Sequence, residues 1–167
     1  MEMNRLTRGF TLIELMVVVA ILGILGSIAV IQFSKYRLKA FVGSTVSTAR
    51  NLELAQAGFY AEYFQYAPIT IAEAASGSVN KAIALKKGGT AQFIFSFSPQ
   101  HDITTVTDAG ETHAIVAAKH IGSDRIIAVD MDYGYKVYKL KSPDLHMVPA
   151  DIPASTAGDD LSGWSQY

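Results

Sequence analysis

Residues 9–34 read GFTLIELMVVVAILGILGSIAVIQFS, a largely apolar stretch whose only charged residue is Glu14. Within it, the 20 residues from Leu15 to Ser34 carry no charge. At ~1.5 Å per residue, a helix of that length covers ~30 Å, the thickness of the hydrocarbon core of a bilayer. The run is therefore long enough to span a membrane as one helix.

The overall composition excludes several classes of protein. A chain of 167 residues allows one compact domain with an appended segment, at ~150 residues per domain. Its 14 basic and 15 acidic residues nearly cancel, and no block of like charges provides the basic stripe of a nucleic-acid binder. Cysteine is absent, which excludes disulfides, thiolate metal sites and cysteine nucleophiles.

Three interpretations of the amino-terminal segment compete. It is an uncut signal anchor, a secretory signal peptide, or a helix that is retained after processing ahead of the apolar run. The signal-peptide interpretation uses Arg5 and Arg8 as the basic region and Ser27-Ile28-Ala29 as the cleavage site. Against it, the apolar character continues past Ala29, where a cleavage region normally turns polar.

The third interpretation rests on the motif GFTLIELMVV, which begins at Gly9, and on the segments AILGILG and QFSKYR that follow it. Together they resemble the processing site and first helix of the type IV pilin and pseudopilin family, over roughly residues 9–60. The resemblance implies that a prepilin peptidase cuts after Gly9 and then methylates the new amino terminus at Phe10. The apolar helix is kept in the processed chain.

The resemblance also implies an orientation and a set of partners. Three basic residues follow the apolar run and two precede it, a bias that weakly places the carboxyl side in the cytoplasm. The family arrangement is the reverse, with the leader cytoplasmic and the head periplasmic in a single-pass inner-membrane precursor. Its partners would be the prepilin peptidase, the inner-membrane assembly machinery and further copies of the chain in an extracellular filament. No cofactor and no specific nucleic acid are expected.

Glu14 is a carboxylate at the start of an apolar helix. Such a group is costly in a membrane and indicates a functional site with a partner. Cleavage after Gly9 would create an amine on Phe10, and in the family this glutamate is thought to pair with the amine of a neighbouring subunit during assembly. The alternative is that Glu14 lies among the lipid headgroups and is simply hydrated.

Small residues interrupt the apolar run at Gly23, Gly26 and Ser27. Glycine weakens a helix by ~1 kcal/mol relative to alanine, so the helix could loosen between Gly23 and Gly26. Alternatively, Gly23 and Ser27 form a small-xxx-small face for close helix packing. The family commonly places a helix-kinking proline where this chain has Ile31.

Past Ser34 the helical period continues without a proline until Pro68, which predicts one helix from about Thr11 to Phe64. One face of its distal half is predicted to be covered by other elements. The members of that face are Leu38, Val42, Thr45, Ala49, Leu52, Gln56, Phe59 and Tyr63.

From Ala91 the period changes to two, which indicates strands separated by turns. Short connections predict an antiparallel meander of four or five strands on the distal half of the helix, an α+β fold. The candidate strands are 92–98, 103–107, 113–120, 125–132 and 135–141. The predicted segments are a leader (1–9), the transmembrane or polymerisation half of the helix (10–34), its exposed half (35–66), a connecting loop region (67–90) with a short helix near 71–75, the sheet (91–141) and an irregular carboxyl-terminal tail (142–167).

Catalytic motifs are not found in the sequence, and no enzyme activity is expected. The four histidines are scattered, so a shared metal site is not predicted. The segment from Asp159 and Asp160 to Trp164 resembles the acidic end of major pseudopilins, where calcium can order the tail. These two aspartates are weak metal candidates, and a solvated acidic turn is preferred.

The sequence therefore predicts a type IV pilin-like structural subunit that polymerises from the inner membrane into a filament. A pseudopilin of a type II secretion system is the first alternative, less favoured because its head matches only in the tail. A membrane-anchored or secreted binding module is the second.

Overall fold

The computed structural model describes residues 9–167, so the predicted leader lies outside the described residues except for Gly9. The chain divides into two compact units, one ending at Arg37 and the other comprising Leu38–Tyr167. One long helix, α1 (Leu12–Tyr63), and antiparallel sheets confirm the predicted α+β fold.

The buried face of α1 is the one that the helical period predicted. Its fully buried residues include Ala49, Leu52 and Phe59, and Thr45 and Gln56 add polar groups to the same stripe. The stripe faces the sheet because its members recur every three or four residues.

The end of α1 lies within one residue of the predicted end at Phe64. The helix ends at Tyr63, and Phe64 adopts a left-handed backbone conformation with φ of 57°. Its N–H still donates to the carbonyl of Tyr60 at 2.8 Å. The residues after the helix bond to a distant part of the chain: the N–H of Tyr66 donates to the carbonyl of Glu111 at 2.7 Å.

Two antiparallel sheets follow α1. A two-stranded sheet pairs β1 with β2, and a five-stranded sheet has the order β3, β4, β5, β6, β7. The strands are β1 (Ser78–Ala84), β2 (Thr90–Ser96), β3 (His101–Thr107), β4 (Ala114–His120), β5 (Arg125–Asp130), β6 (Lys136–Leu140) and β7 (Ser165–Gln166).

Strand membership differs from the prediction in two places. The segment predicted as a connecting loop contains β1. This strand pairs with β2, so β2 belongs to a separate sheet and not to the predicted meander. The fifth strand of the larger sheet is β7, from the segment predicted as an irregular tail. The short helix predicted near residues 71–75 is present as a 3-10 turn, Ala72–Ala74.

The larger sheet is buried on both faces. One apolar cluster joins its inner face to α1 and the β1–β2 hairpin. A second cluster lies on the outer face, where Met147, Ile152 and Leu161 from the tail pack against the sheet. All seven residues of β4 are buried in consequence. The carboxyl-terminal tail is therefore part of the core, because it covers the face that α1 does not reach.

The segment after α1 is fastened by the amide of Gln56. Its Nε2 donates to the carbonyl of Ala67 at 2.7 Å and to the hydroxyl of Thr105 at 2.9 Å, and its Oε1 accepts the Ala67 N–H at 3.0 Å. All three residues are buried. A buried polar side chain is tolerated because every one of these groups finds a partner.

Candidate functional site

The start of α1 is closed by a reciprocal pair of hydrogen bonds between Thr11 and Glu14. The backbone N–H and the hydroxyl of Thr11 donate to Oε2 of Glu14 at 2.9 Å and 2.8 Å, and the N–H of Glu14 donates to the Thr11 hydroxyl at 3.2 Å. This is a capping box, which satisfies N–H groups that have no partner within the first helical turn.

The capping box identifies a residue that the sequence analysis did not single out. Thr11 precedes Glu14 by three positions, and a Thr-x-x-Glu pattern directly before an apolar run is a recognisable signal for a helix start. Glu14 thus has a structural partner within its own chain. Both bonds from Thr11 use Oε2, and Oε1 accepts none from the described residues.

The predicted processing junction lies just ahead of this box. Gly9 and Phe10 precede the helix and are exposed, Phe10 at 82%. No side chain of the described residues approaches the position where a Cβ would stand on Gly9. The peptide bond after Gly9 therefore lies in an exposed segment ahead of the helix.

The first half of α1 exposes its apolar side chains all around. Every residue from Leu12 to Ser34 is exposed, and α1 contains a window long and apolar enough to cross a membrane. An apolar surface of this extent is not stable in water. Such a helix needs lipid or other helices around it.

The small residues of the run keep regular helical structure. Gly23 and Gly26 lie within α1 with open space where their Cβ atoms would stand, and the Ser27 hydroxyl donates to the carbonyl of Ile24 at 2.7 Å. The helix continues through Ile31. The helix is therefore continuous through these residues, and their packing and loosening roles stay predictions.

The acidic residues of the tail are engaged in hydrogen bonds. Asp160 accepts from the N–H and hydroxyl of Thr156 at 2.6 Å and 2.5 Å, and Asp159 accepts from the hydroxyl of Tyr135. The N–H of Asp160 donates to the buried carboxylate of Asp130 at 3.3 Å. These contacts fix the tail to the turn between β5 and β6. Among the described residues, no group of three or more histidine or acidic side chains is placed to hold a metal ion.

Comparison with known proteins is consistent with this geometry. Residues 4–30 match the family model described as the prokaryotic N-terminal methylation motif. The chain is 43% identical over 63 residues to the type IV major pilin protein PilA of Myxococcus xanthus, an alignment covering 38% of this chain and 29% of that protein. It is 32% identical over 92 residues to a fimbrial protein of Neisseria meningitidis serogroup B, covering 52% and 54%. It is 45% identical over 53 residues to the type IV major fimbrial protein FimA of Dichelobacter nodosus, covering 32% and 34%.

The chain thus combines a prokaryotic N-terminal methylation motif with a long helix whose first half is apolar and exposed. The relatives named above are pilins and fimbrial proteins, and each is similar to part of the chain. The chain spans between about a third and just over half of the length of these relatives.

Proposed function

We propose that this chain is a pilin-type structural subunit, cleaved after Gly9, methylated at Phe10 and polymerised from the inner membrane into an extracellular filament. The observation that carries the proposal is the start of α1: a methylation motif and a capped carboxylate open a helix whose first half has no protein cover. The membrane would cover this half before assembly, and the helices of other subunits would cover it afterwards. No catalytic step of its own is needed for this function.

The geometry of Glu14 supports a role in assembly. Its Oε2 holds the capping box, which leaves Oε1 able to accept a hydrogen bond from an amine. A carboxylate can accept several hydrogen bonds at once, so capping its own helix and pairing with the Phe10 amine of a neighbouring subunit are compatible. The pairing would favour the correct stagger between subunits, because a shifted register would leave both charges unpaired.

The first experiment determines the amino terminus of the protein purified from its membrane. Mass spectrometry should find a chain that begins with methylated Phe10, and electron microscopy should find filaments. A chain beginning at Val30 would instead indicate a secreted domain, and one beginning at Met1 an uncut anchor; either result refutes the proposal.

Gly9→Val should leave the leader attached, because the peptidase needs a small residue there.

The second experiment separates the two roles of Glu14. Glu14→Gln keeps an oxygen for the capping box but removes the charge. We expect this variant to reach the membrane, to be cleaved after Gly9 and to form few or no filaments. Glu14→Val should fail in the same way, and Glu14→Asp should be partly impaired because the charge remains on a shorter side chain.

Thr11→Ser is the matched control, because serine also provides the capping hydroxyl. It should assemble in normal numbers. If Glu14→Gln also assembles normally, the charge is dispensable, and Glu14 serves only to start the helix.

A further inference from the structure

Two buried histidines meet where β3 and β4 lie against α1. His101 and His120 are directly opposite each other in the β3–β4 ladder, and their side chains face α1. The two residues are 3% and 5% exposed. Their rings contact edge to face, with centroids 4.8 Å apart. Two titratable groups are thus packed against each other with almost no access to water.

The hydrogen bonds of His120 require a neutral ring. Its Nδ1 accepts the N–H of Gly122 at 3.0 Å, and its Nε2 lies 3.2 Å from Oε1 of Gln100. The ring therefore carries its proton on Nε2 and presents a lone pair at Nδ1. A second proton at Nδ1 would remove the acceptor of Gly122 and set two N–H groups against each other.

Burial and the neighbouring His120 also disfavour a second proton on His101, more strongly than the backbone at Ser98 and Ser44 favours one. Its Nε2 lies 3.1 Å from the hydroxyl of Ser44 on α1, and its buried Nδ1 has no hydrogen-bond partner among the described residues. A charged ring would place a buried N–H at Nδ1, an atom that makes no hydrogen bond to the described residues. If both rings were protonated, their two positive charges would also repel each other.

The same two residues fasten the sheet to α1. The ring of His120 stacks on Phe41 with centroids 4.2 Å apart, and its backbone N–H donates to the hydroxyl of Thr45 at 3.2 Å. Gly122 fits closely under Phe41: a Cβ on this glycine would lie 2.6 Å from the ring. Loss of the His120 and Gly122 contacts would therefore loosen the sheet from the helix.

The charged groups around the pair are Asp102 and Lys119, which are opposite each other one position along the ladder. Strand alternation puts both side chains on the other face of the sheet. There Asp102 accepts from the His146 ring and from the N–H of Met147, at 2.9 Å and 2.7 Å. Asp102 favours a charged His101 and Lys119 opposes a charged His120. The α1 residues in contact with the pair, Phe41, Ser44 and Thr45, are uncharged.

We propose that His101 and His120 form an acid-sensitive latch, which holds the β3–β4 end of the sheet on α1 at neutral pH and loosens when the surroundings acidify. The stacking of Phe41 favours an imidazolium at His120, since an aromatic face attracts a cation. The charge of Asp102 and the backbone at Ser98 and Ser44 favour an imidazolium at His101. The charged forms are opposed by the burial of both rings, by the Gly122 N–H, by the Nδ1 of His101 that makes no hydrogen bond and by the mutual repulsion of the rings.

The direction of the pH effect follows from the pKa values of the two rings. Burial lowers the pKa of His101, and the neighbouring His120 lowers it further; burial and the charge of Lys119 lower the pKa of His120. The unfolded chain, with histidines at their ordinary pKa of 6.5, then binds more protons than the folded chain below that pH. The stabilisation is complete above pH ~6.5 and is lost as the pH falls, by up to about tenfold in the folding equilibrium constant per histidine and per pH unit.

The test compares the full chain in detergent with the double variant His101→Gln, His120→Asn. Glutamine can replace the Nε2 contact of His101, and asparagine can replace the Nδ1 acceptor of His120, but neither side chain titrates. Between about pH 7.5 and pH 5, we expect the folding equilibrium constant of the wild type to fall by roughly tenfold or more relative to the double variant. His146→Gln is the control, because that histidine is exposed and lies on the other face; it should keep the wild-type pH profile.

Hydrogen exchange on the wild-type chain tests the latch even if the double variant does not fold. After correction for the intrinsic exchange rate, the amides of His120 and Gly122 should lose protection at about pH 5, whereas the amide of Ala128 in β5 should not. Unchanged protection of His120 and Gly122, or equal pH profiles for the wild type and the double variant, would overturn the proposal.

Discussion

The amide of Gln56 should be one of the main determinants of stability in the folded head. Gln56→Leu keeps the approximate size of the side chain but removes its donor and acceptor. The backbone N–H and carbonyl of Ala67, both bound to Gln56 and both in a fully buried residue, would lose their partners. The variant therefore isolates the contribution of these hydrogen bonds from that of side-chain volume.

The expected magnitude follows from the number of orphaned groups. Each buried backbone group without a partner costs ~1–3 kcal/mol, so the two groups of Ala67 cost ~2–6 kcal/mol. Burying a leucine side chain in place of an amide recovers ~1.5–3 kcal/mol. The net decrease in the free energy of unfolding should be about 2 kcal/mol, or roughly thirtyfold in the folding equilibrium constant.

The assay is denaturant unfolding of the full chain in detergent, followed by the fluorescence of Trp164, the only tryptophan in the chain. Trp164 reports on the head because it packs against the outer apolar cluster. Hydrogen exchange should also show faster exchange at the amide of Ala67. Thr105→Val, which removes only the bond from Gln56 to the Thr105 hydroxyl, should cost about 1 kcal/mol.

Gln92→Leu is the matched control, because Gln92 is exposed on β2 and should change the free energy of unfolding by less than ~0.5 kcal/mol. If Gln56→Leu destabilises the chain by no more than this control, the bonds to Ala67 do not hold the segment after α1, and the reasoning is refuted.

Three further substitutions can be measured with the same fluorescence assay. Gly122→Ala should destabilise the chain by ~1–3 kcal/mol, because the new Cβ would stand 2.6 Å from the Phe41 ring; an unchanged stability would mean that the ring moves aside freely. Lys119→Met should stabilise the chain by about 1 kcal/mol, because burial lowers the pKa of this ammonium and its hydrogen-bond partners are carbonyls; a destabilised variant would contradict that account. Leu161→Ala should cost ~2–5 kcal/mol if the tail is part of the core, whereas Leu145→Ala, at an exposed position, should cost less than ~0.5 kcal/mol.

The sequence alone determined the features that depend on local pattern. The length and apolar character of residues 15–34 specify the first half of α1, and the absence of proline up to Pro68 lets the helical period continue. The helix start at Thr11 and Glu14 is another local feature, because a capping box joins residues three positions apart. The proposed processing junction at Gly9 is equally local, and it lies within the match to the methylation-motif model at residues 4–30.

Tertiary structure decided the features in which distant segments meet. The strand β1 has a weak alternating pattern, and only pairing with β2 orders it as a strand. The tail was predicted to be irregular, yet it buries Met147, Ile152 and Leu161 because the sheet has a second apolar face to cover.

His101 and His120 show the same dependence most clearly. They are 19 positions apart in sequence, and only the register of β3 with β4 brings their rings into contact. Strand pairing and the choice of covering segment are set by long-range burial, and a pattern of period two does not specify either one.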